Sequence, residues 1–286
     1  MSRPTKITIA IITFHKDFML LENLLSSIYK NWNPEEIDSI KLVLNDKKRY
    51  YTEFSALVEK NTHPNFKIDI LYIDDLFPDL PEYVSLDWHS QQLFKCLVSN
   101  HISTDWYIIH DCKDFYTAPV ELSFCFDEIG RATMHLDHTR YNHRYNHSST
   151  SDNLSDGHWA HWGFGPFVAA YHVGCEIFGV DPSDYKNFHL PFVTPFFVKT
   201  QLMKEMLAEL KSTSKGLFPY LFSVSLDGQQ FLTEFMAYNA YCAAKNHLGD
   251  YVDWEYNHRK FFEATSHTMD GRLPSGARIQ ITSNKD

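Results

Sequence analysis

Three charged residues, Asp111, Lys113 and Asp114, close the apolar run in YIIHDCKDFY, residues 107 to 116. Two carboxylates and an ammonium group so close together have two uses. They form the polar turn that a strand needs to leave a sheet, or they hold a phosphate and a cation at the strand's end. A second candidate is Glu234, with Phe231, Tyr238 and Tyr241 at i−3, i+4 and i+7 of an apolar helical segment. A carboxylate on an aromatic face is desolvated, which raises its pKa and suits it to take a proton from a hydroxyl. The alternative is a structural carboxylate satisfied by a neighbouring lysine or tyrosine. A third group lies in the histidine-rich stretch 135 to 162. His135, Asp137 and His138 are close in sequence but lack the H-E-x-x-H spacing of a zinc helix, so a solvated polar loop is the simpler reading. His158, Trp159, His161 and Trp162 offer flat faces on which a sugar or base can stack.

The elements that must position these residues follow from hydrophobic period. KITIAIITF (6 to 14), IKLVLN (40 to 45), KIDILYID (67 to 74) and DWYIIH (105 to 110) read as strands, and apolar residues at helical spacing predict helices over 17 to 32, 50 to 61 and 86 to 101. Strand and helix alternate four times, which implies a mostly parallel sheet, because parallel neighbours need crossovers. Ligands of such sheets sit outside the carboxyl ends of the strands. Those ends carry Thr13, His15 and Asp17, then Asn45 and Asp46, then Asp74 and Asp75, then Asp111, Lys113 and Asp114. Beyond them the sequence predicts a strand near 131 to 137, the long polar loop, an aromatic Gly-containing segment (162 to 180), a strand at LPFVTPFFV (190 to 198), helices at 200 to 211 and 229 to 246, and a weakly ordered tail past about residue 270.

Composition bounds the function. A net charge of −10 argues against non-specific coating of nucleic acid. The five cysteines, Cys96, Cys112, Cys125, Cys175 and Cys242, are odd in number with no C-x-x-C spacing, so neither a disulfide framework nor a thiolate zinc site is expected, and a reducing cytoplasm is the simplest setting. The opening MSRPTKITIAIITFHKD superficially looks like a signal peptide but lacks a small-residue cleavage site and is rich in β-branched residues, which predicts a buried strand. His172 and Glu176 interrupt the later apolar stretch, so no membrane span is expected. Neither G-x-G-x-x-G nor a P-loop follows the first strand, which disfavours dinucleotide oxidoreductases and P-loop enzymes. Any bound phosphates must then be neutralised by a carboxylate-held metal or a lysine.

QQLFK (91 to 95) on a helix, IIHDCKDF (108 to 115) at a strand end and EFMAY (234 to 238) on a later helix occur in an order that resembles nucleotide-sugar glycosyltransferases of the GT-A fold. The likeness is to glycosyltransferase-like proteins with a Gln-Gln-x-x-Lys helix, an Asp-x-Asp or Asp-x-Lys-Asn strand end and a Glu-aromatic-x-x-Tyr helix. It implies an α/β fold: a single GT-A-like domain with a mostly parallel central sheet, helices on both faces and a long polar loop in the second half. Residues 1–115 would form the nucleotide-sugar-binding half, and 116–286 the acceptor-binding half and C-terminal tail. The implied reaction moves a hexose or pentose from a nucleoside-diphosphate sugar to a hydroxyl, on a saccharide rather than on nucleic acid. It implies donor contacts from Thr13, His15, Asp17, Gln91, Gln92, Lys95, Lys113 and Asp114, and acceptor contacts from His161, Trp162 and Tyr238. Asp111 and Glu234 would be catalytic, Glu234 as the general base of an inverting transfer, and Asp111 with Asp114 would hold Mn2+ or Mg2+. A divalent cation on carboxylates neutralises the charge that builds on the departing diphosphate.

The pattern departs from the family at its centre, because Lys113 stands where Asp-x-Asp has its metal-binding acid. Lys113 then pairs with the diphosphate, or Asp114 supplies the second ligand, or the site works without metal. Gln91 and Gln92 point about 100° apart on a helix and so face different surroundings. Three other functions use the same residues. One is glycosylation of a hydroxymethylated base in DNA, with Arg140, Arg144, Lys245 and Arg259 as a local basic patch. The second is nucleotidyl transfer or metal-dependent hydrolysis, which Lys113 makes less natural. The third is a binding module that holds a nucleotide sugar without turnover.

Overall fold

The computed structural model describes residues 2–80, 88–134, 165–181, 194–213, 232–253, 262–265 and 278–280. The β-branched opening run forms β1 (Ile7–Thr13), buried along its whole length. It is followed by α1 (Phe18–Asn31), which turns Phe18, Leu21, Leu24, Leu25 and Ile28 into the core at helical spacing. Next come β2 (Ile37–Leu44), α2 (Tyr51–Lys60), β3 (Ile68–Tyr72), the single turn α3 (Ile73–Leu76), α4 (Trp88–Leu97) and β4 (Trp106–Asp111). The chain then passes through β5 (Asp114–Tyr116), α5 (Leu122–Cys125), β6 (Ala132–Met134), α6 (Gly165–Phe178), β7 (Phe196–Lys199), α7 (Thr200–Thr213), α8 (Glu234–Ala244), β8 (Tyr251–Asp253), β9 (Phe262–Thr265) and β10 (Arg278–Gln280).

The fold is mixed α/β, with a mostly parallel central sheet flanked by helices, as the strand-helix alternation implies. The central sheet runs β3-β2-β1-β4-β7. The first four strands are parallel, and β7 closes the edge antiparallel to β4. Two small sheets, β10-β9-β5 and β6-β8, complete the topology. All five cysteines are free and buried. Among the described residues no helix is long and apolar enough to cross a membrane.

The aromatic segment after the polar loop holds α6, a helix that its sequence does not announce. Apolar residues surround it rather than forming one stripe, so no amphipathic period is visible. It packs against α8 through a small cluster of Ala170, Tyr171, Cys175, Met236 and Ala240. Close approach needs a missing side chain: a Cβ on Gly174 would lie 2.9 Å from the Ala240 Cβ. Of the predicted strand at 190 to 198, residues 190 to 193 lie outside the described residues, and the described part holds β7 at Phe196–Lys199.

Candidate functional site at the carboxyl edge of the sheet

Strand order reverses between β1 and β4, since β2 and β3 extend the sheet to one side of β1 and β4 lies on the other. In open parallel sheets such a reversal leaves a crevice at the strands' carboxyl ends. The register pairs Ile12 with Asp111, so the ends of β1 and β4 lie side by side and Asp111 stands at the mouth of that crevice.

A buried lysine organises the charges there. Lys95, on α4, is 3% exposed and places its Nζ 2.9 Å from Asp111 Oδ1 and 2.9 Å from Glu234 Oε1. Its ammonium also lies 5.0 Å from the centre of the Phe235 ring. Lys113 Nζ reaches Asp111 Oδ2 at 3.3 Å from the solvent side. The charges therefore form a row, Glu234, Lys95, Asp111, Lys113, running from the core to the crevice. Burial alone would push Lys95 toward its neutral form, but the two carboxylates outweigh it and hold its pKa well above the ordinary lysine range. Burial likewise pushes Asp111 up, and the Lys95 and Lys113 ammonium groups overcome this and hold it well below the usual carboxylate range. At Glu234 burial wins over Lys95, and its pKa is raised. The difference follows from position: Asp111 has two lysines and a side chain 22% exposed, whereas Glu234 has one lysine and is 2% exposed.

Several expected contacts have other tasks. Asp114 is fully buried and braces the strand end, with Oδ2 accepting from the Asp111 backbone N–H at 3.1 Å and lying 3.1 Å from His110 Nδ1. His110 in turn places Nε2 2.6 Å from the Tyr116 hydroxyl. Asp114 is therefore turned away from any metal or donor at the crevice. Tyr238 is a core residue and not an acceptor contact, since its hydroxyl accepts from the Lys199 N–H at 2.9 Å and lies 2.8 Å from the Tyr251 hydroxyl. Thr13 is fully buried, as is nearly all of Gln92, and neither reaches the crevice surface. Lys95 reaches two carboxylates, those of Asp111 and Glu234. Gln91 diverges from Gln92 as helix geometry requires, and its amide donates to the Ile12 carbonyl at 3.2 Å, at the end of β1. Asp17 is half-buried and immediately precedes α1. His161 and Trp162 lie outside the described residues.

His15 does face the crevice rim, half-exposed, with a partner that sequence reasoning noted at a strand end but did not assign. Its backbone N–H donates to Asp46 Oδ2 at 3.0 Å, and its Nδ1 lies 2.5 Å from the same oxygen. The ring stacks on Tyr50 with centroids 4.1 Å apart. Burial would raise the Asp46 pKa, but the His15 and Lys47 N–H groups and the His15 ring lower it on balance. The parallel pairing of β1 with β2 supplies the missing signal, because it sets their carboxyl ends side by side. Behind them Ser90 donates to Asn45 Oδ1 at 3.2 Å, tying the start of α4 to the end of β2.

The donor set for a divalent cation is poor. Both oxygens of Asp111 lie beside ammonium groups, and Asp114 faces inward. Among the described residues no group of three or more His, Cys, Asp or Glu side chains is placed to hold a metal ion. Hard cations such as Mg2+ and Mn2+ need several oxygen ligands, and a carboxylate already paired with two lysines is a weak one.

Fold and site together define an α/β protein with a cluster of charged side chains at the carboxyl edge of a mostly parallel sheet. The chain belongs to DUF6492, a family of unknown function whose pattern matches residues 7–267. No curated protein matches it. Among the solved structures that resemble part of it are two at low identity. One is the mannosyltransferase PcManGT from Pyrobaculum calidifontis in complex with GDP-Man and Mn2+, 14% identical over 41% of this chain and 29% of that one, with a TM-score of 0.29. The other is S. aureus TarS, 11% identical over 40% of this chain and 18% of that one, with a TM-score of 0.28. The chain thus spans less than a third of either protein's length.

Proposed function

We propose that this protein is a glycosyltransferase that moves a hexose or pentose from a nucleoside-diphosphate sugar to a hydroxyl acceptor, with a saccharide as the acceptor class. The observation that carries the reading is the row of opposed charges ending at Asp111 and Lys113, at the crevice where β1 and β4 diverge. Residues 1–115 supply the donor side and 116–286 the acceptor side, and α8 joins the two through Glu234 and Lys95. His15 and Tyr50 offer a flat rim for the donor's base, Lys113 meets the diphosphate, and Gln91 fixes the end of β1 beneath them. Asp111 orients Lys113 toward the leaving group, whose oxygen gains negative charge as the bond to the sugar breaks. Glu234 serves as a positioning residue: paired with Lys95 and buried, it holds the row in line and does not reach an acceptor hydroxyl. A cytoplasmic location agrees with five free thiols.

The test is release of nucleoside diphosphate from a panel of nucleotide sugars with mixed saccharide acceptors. We expect turnover with one donor and a loss of about a hundredfold or more in Asp111→Asn, the scale for removing a pre-organised charge at a reacting centre. The burial of Glu234 favours a second reading, a module that binds the donor without turnover. Saturable binding of a nucleotide sugar with no product after prolonged incubation would select it.

A further inference from the structure

We infer that the strand end at Asp111 takes the donor's diphosphate directly on the Lys113 ammonium group, without a divalent cation. This rests on the donor-site reading above and goes beyond it by dispensing with the cation. Asp111 has one oxygen 2.9 Å from Lys95 and the other 3.3 Å from Lys113. Lys95 is shared with Glu234, also at 2.9 Å. Two lysines thus face two carboxylates, and the row carries no formal excess of negative charge to attract a dication. Asp114, the other acid that could join Asp111 around a metal, is fully buried against His110 and the Asp111 backbone.

Lys113 is the outermost member of the row, with a side chain 31% exposed. Asp111 holds its ammonium at the crevice while leaving part of its surface open, and ammonium is an effective point charge for phosphate. Lys95 adds positive potential from behind. A diphosphate arriving there meets a fixed cation, whereas a metal would first have to draw Asp111 away from two lysines. The row is built like the seat of an anion.

The experiment is calorimetric and thermal-shift titration of the full chain with UDP, GDP, ADP, CDP and dTDP, each in excess EDTA and in Mn2+. We expect one of these to bind with a Kd that agrees within about threefold between the two conditions, since binding to the native state alone sets the shift. Lys113→Ala should weaken that Kd by about tenfold or more, the scale for losing a charge-assisted contact. Lys113→Arg should retain binding in EDTA. Because Lys113 is part-exposed, both variants should melt close to the wild type, which separates a lost contact from a lost fold. Binding that requires Mn2+, or that survives unchanged in Lys113→Ala, overturns the metal-free seat and leaves the donor site standing. No binding by any of the five in either condition, with the protein folded, overturns both.

Discussion

The two ends of the central sheet solve the same problem with different materials. At the amino ends, where β4 begins, a cavity of about 410 Å3 is lined by Thr104, Trp106, Thr200, Lys204 and neighbours. Polar groups there make part-buried pairs: the Thr8 and Thr104 hydroxyls lie 2.8 Å apart, Lys204 donates to the Ile102 carbonyl at 3.0 Å, and Lys199 pairs with Asp250 at 2.9 Å. At the carboxyl ends a lysine is buried between two acids. A cavity alone does not mark the site, because concavity is cheap wherever strands and helices meet imperfectly. A buried ammonium held by two carboxylates from distant parts of the chain costs desolvation, and stability alone does not call for it.

That contrast is broken most directly at Lys95. Lys95→Met strands Glu234 and leaves Asp111 with Lys113 alone, and should destabilise the protein by about 3–5 kcal/mol, read from urea unfolding. The double variant Lys95→Met/Glu234→Gln should recover part of the loss, because it also removes the buried acid. Equal loss in single and double variants would mean that the pairing is not what Lys95 supplies.

Acid and base limbs sharpen the same point. Asp111 is held below its ordinary value of 3.8, so its contribution is complete above that pH and is lost as pH falls through the lower folded value. Lys95 is held above its ordinary 10.5, so its contribution is complete below that pH and is lost as pH rises through the folded value. Glu234 works against Asp111: raised above 4.5, it favours the fold most when protonated, and that part is lost as pH rises through its raised value. Melting temperatures measured across pH should show a steeper acid limb in the wild type than in Lys95→Met, in which Asp111 keeps only its exposed partner Lys113.

The amino end should respond less. Thr104→Val leaves the buried Thr8 hydroxyl without its partner and should cost about 1–2 kcal/mol, with nucleotide binding unchanged. Lys204→Ala removes one part-buried hydrogen bond and should cost about 1 kcal/mol or less. A marked loss of nucleotide binding in either variant would show that the two ends are not independent.

The sheet was largely legible in the sequence, because runs such as Ile7–Thr13 and Trp106–Asp111 are bounded by polar residues and separated by amphipathic helices. The direction of β7 was not, since a short aromatic strand carries no mark of which way it runs. Asp111 was found because it ends a strand, a local feature. Asp114 lies three residues on and was taken for its partner at a metal, but the turn between β4 and β5 points it inward. Lys95 and Glu234 were each singled out, but their pairing was invisible because it depends on how α8 packs against α4. The family resemblance implies Tyr238 as an acceptor contact, yet α8 is buried nearly all round, and Tyr238 lies in the core.

The hydrogen bond between Lys95 and Glu234 joins residues 139 positions apart, whereas Asp111 follows Lys95 closely. A ribosome adding about 5–20 residues per second delivers the first four strands well before α8 exists. In that interval Lys95 has one carboxylate within reach instead of two, and α4 lacks the helix that later packs against it. The nascent N-terminal half is therefore a poor candidate for independent folding, despite its regular strand and helix pattern. The row is completed by the arrival of a negative charge on α8, and the crevice acquires that part of its electrostatic form only then.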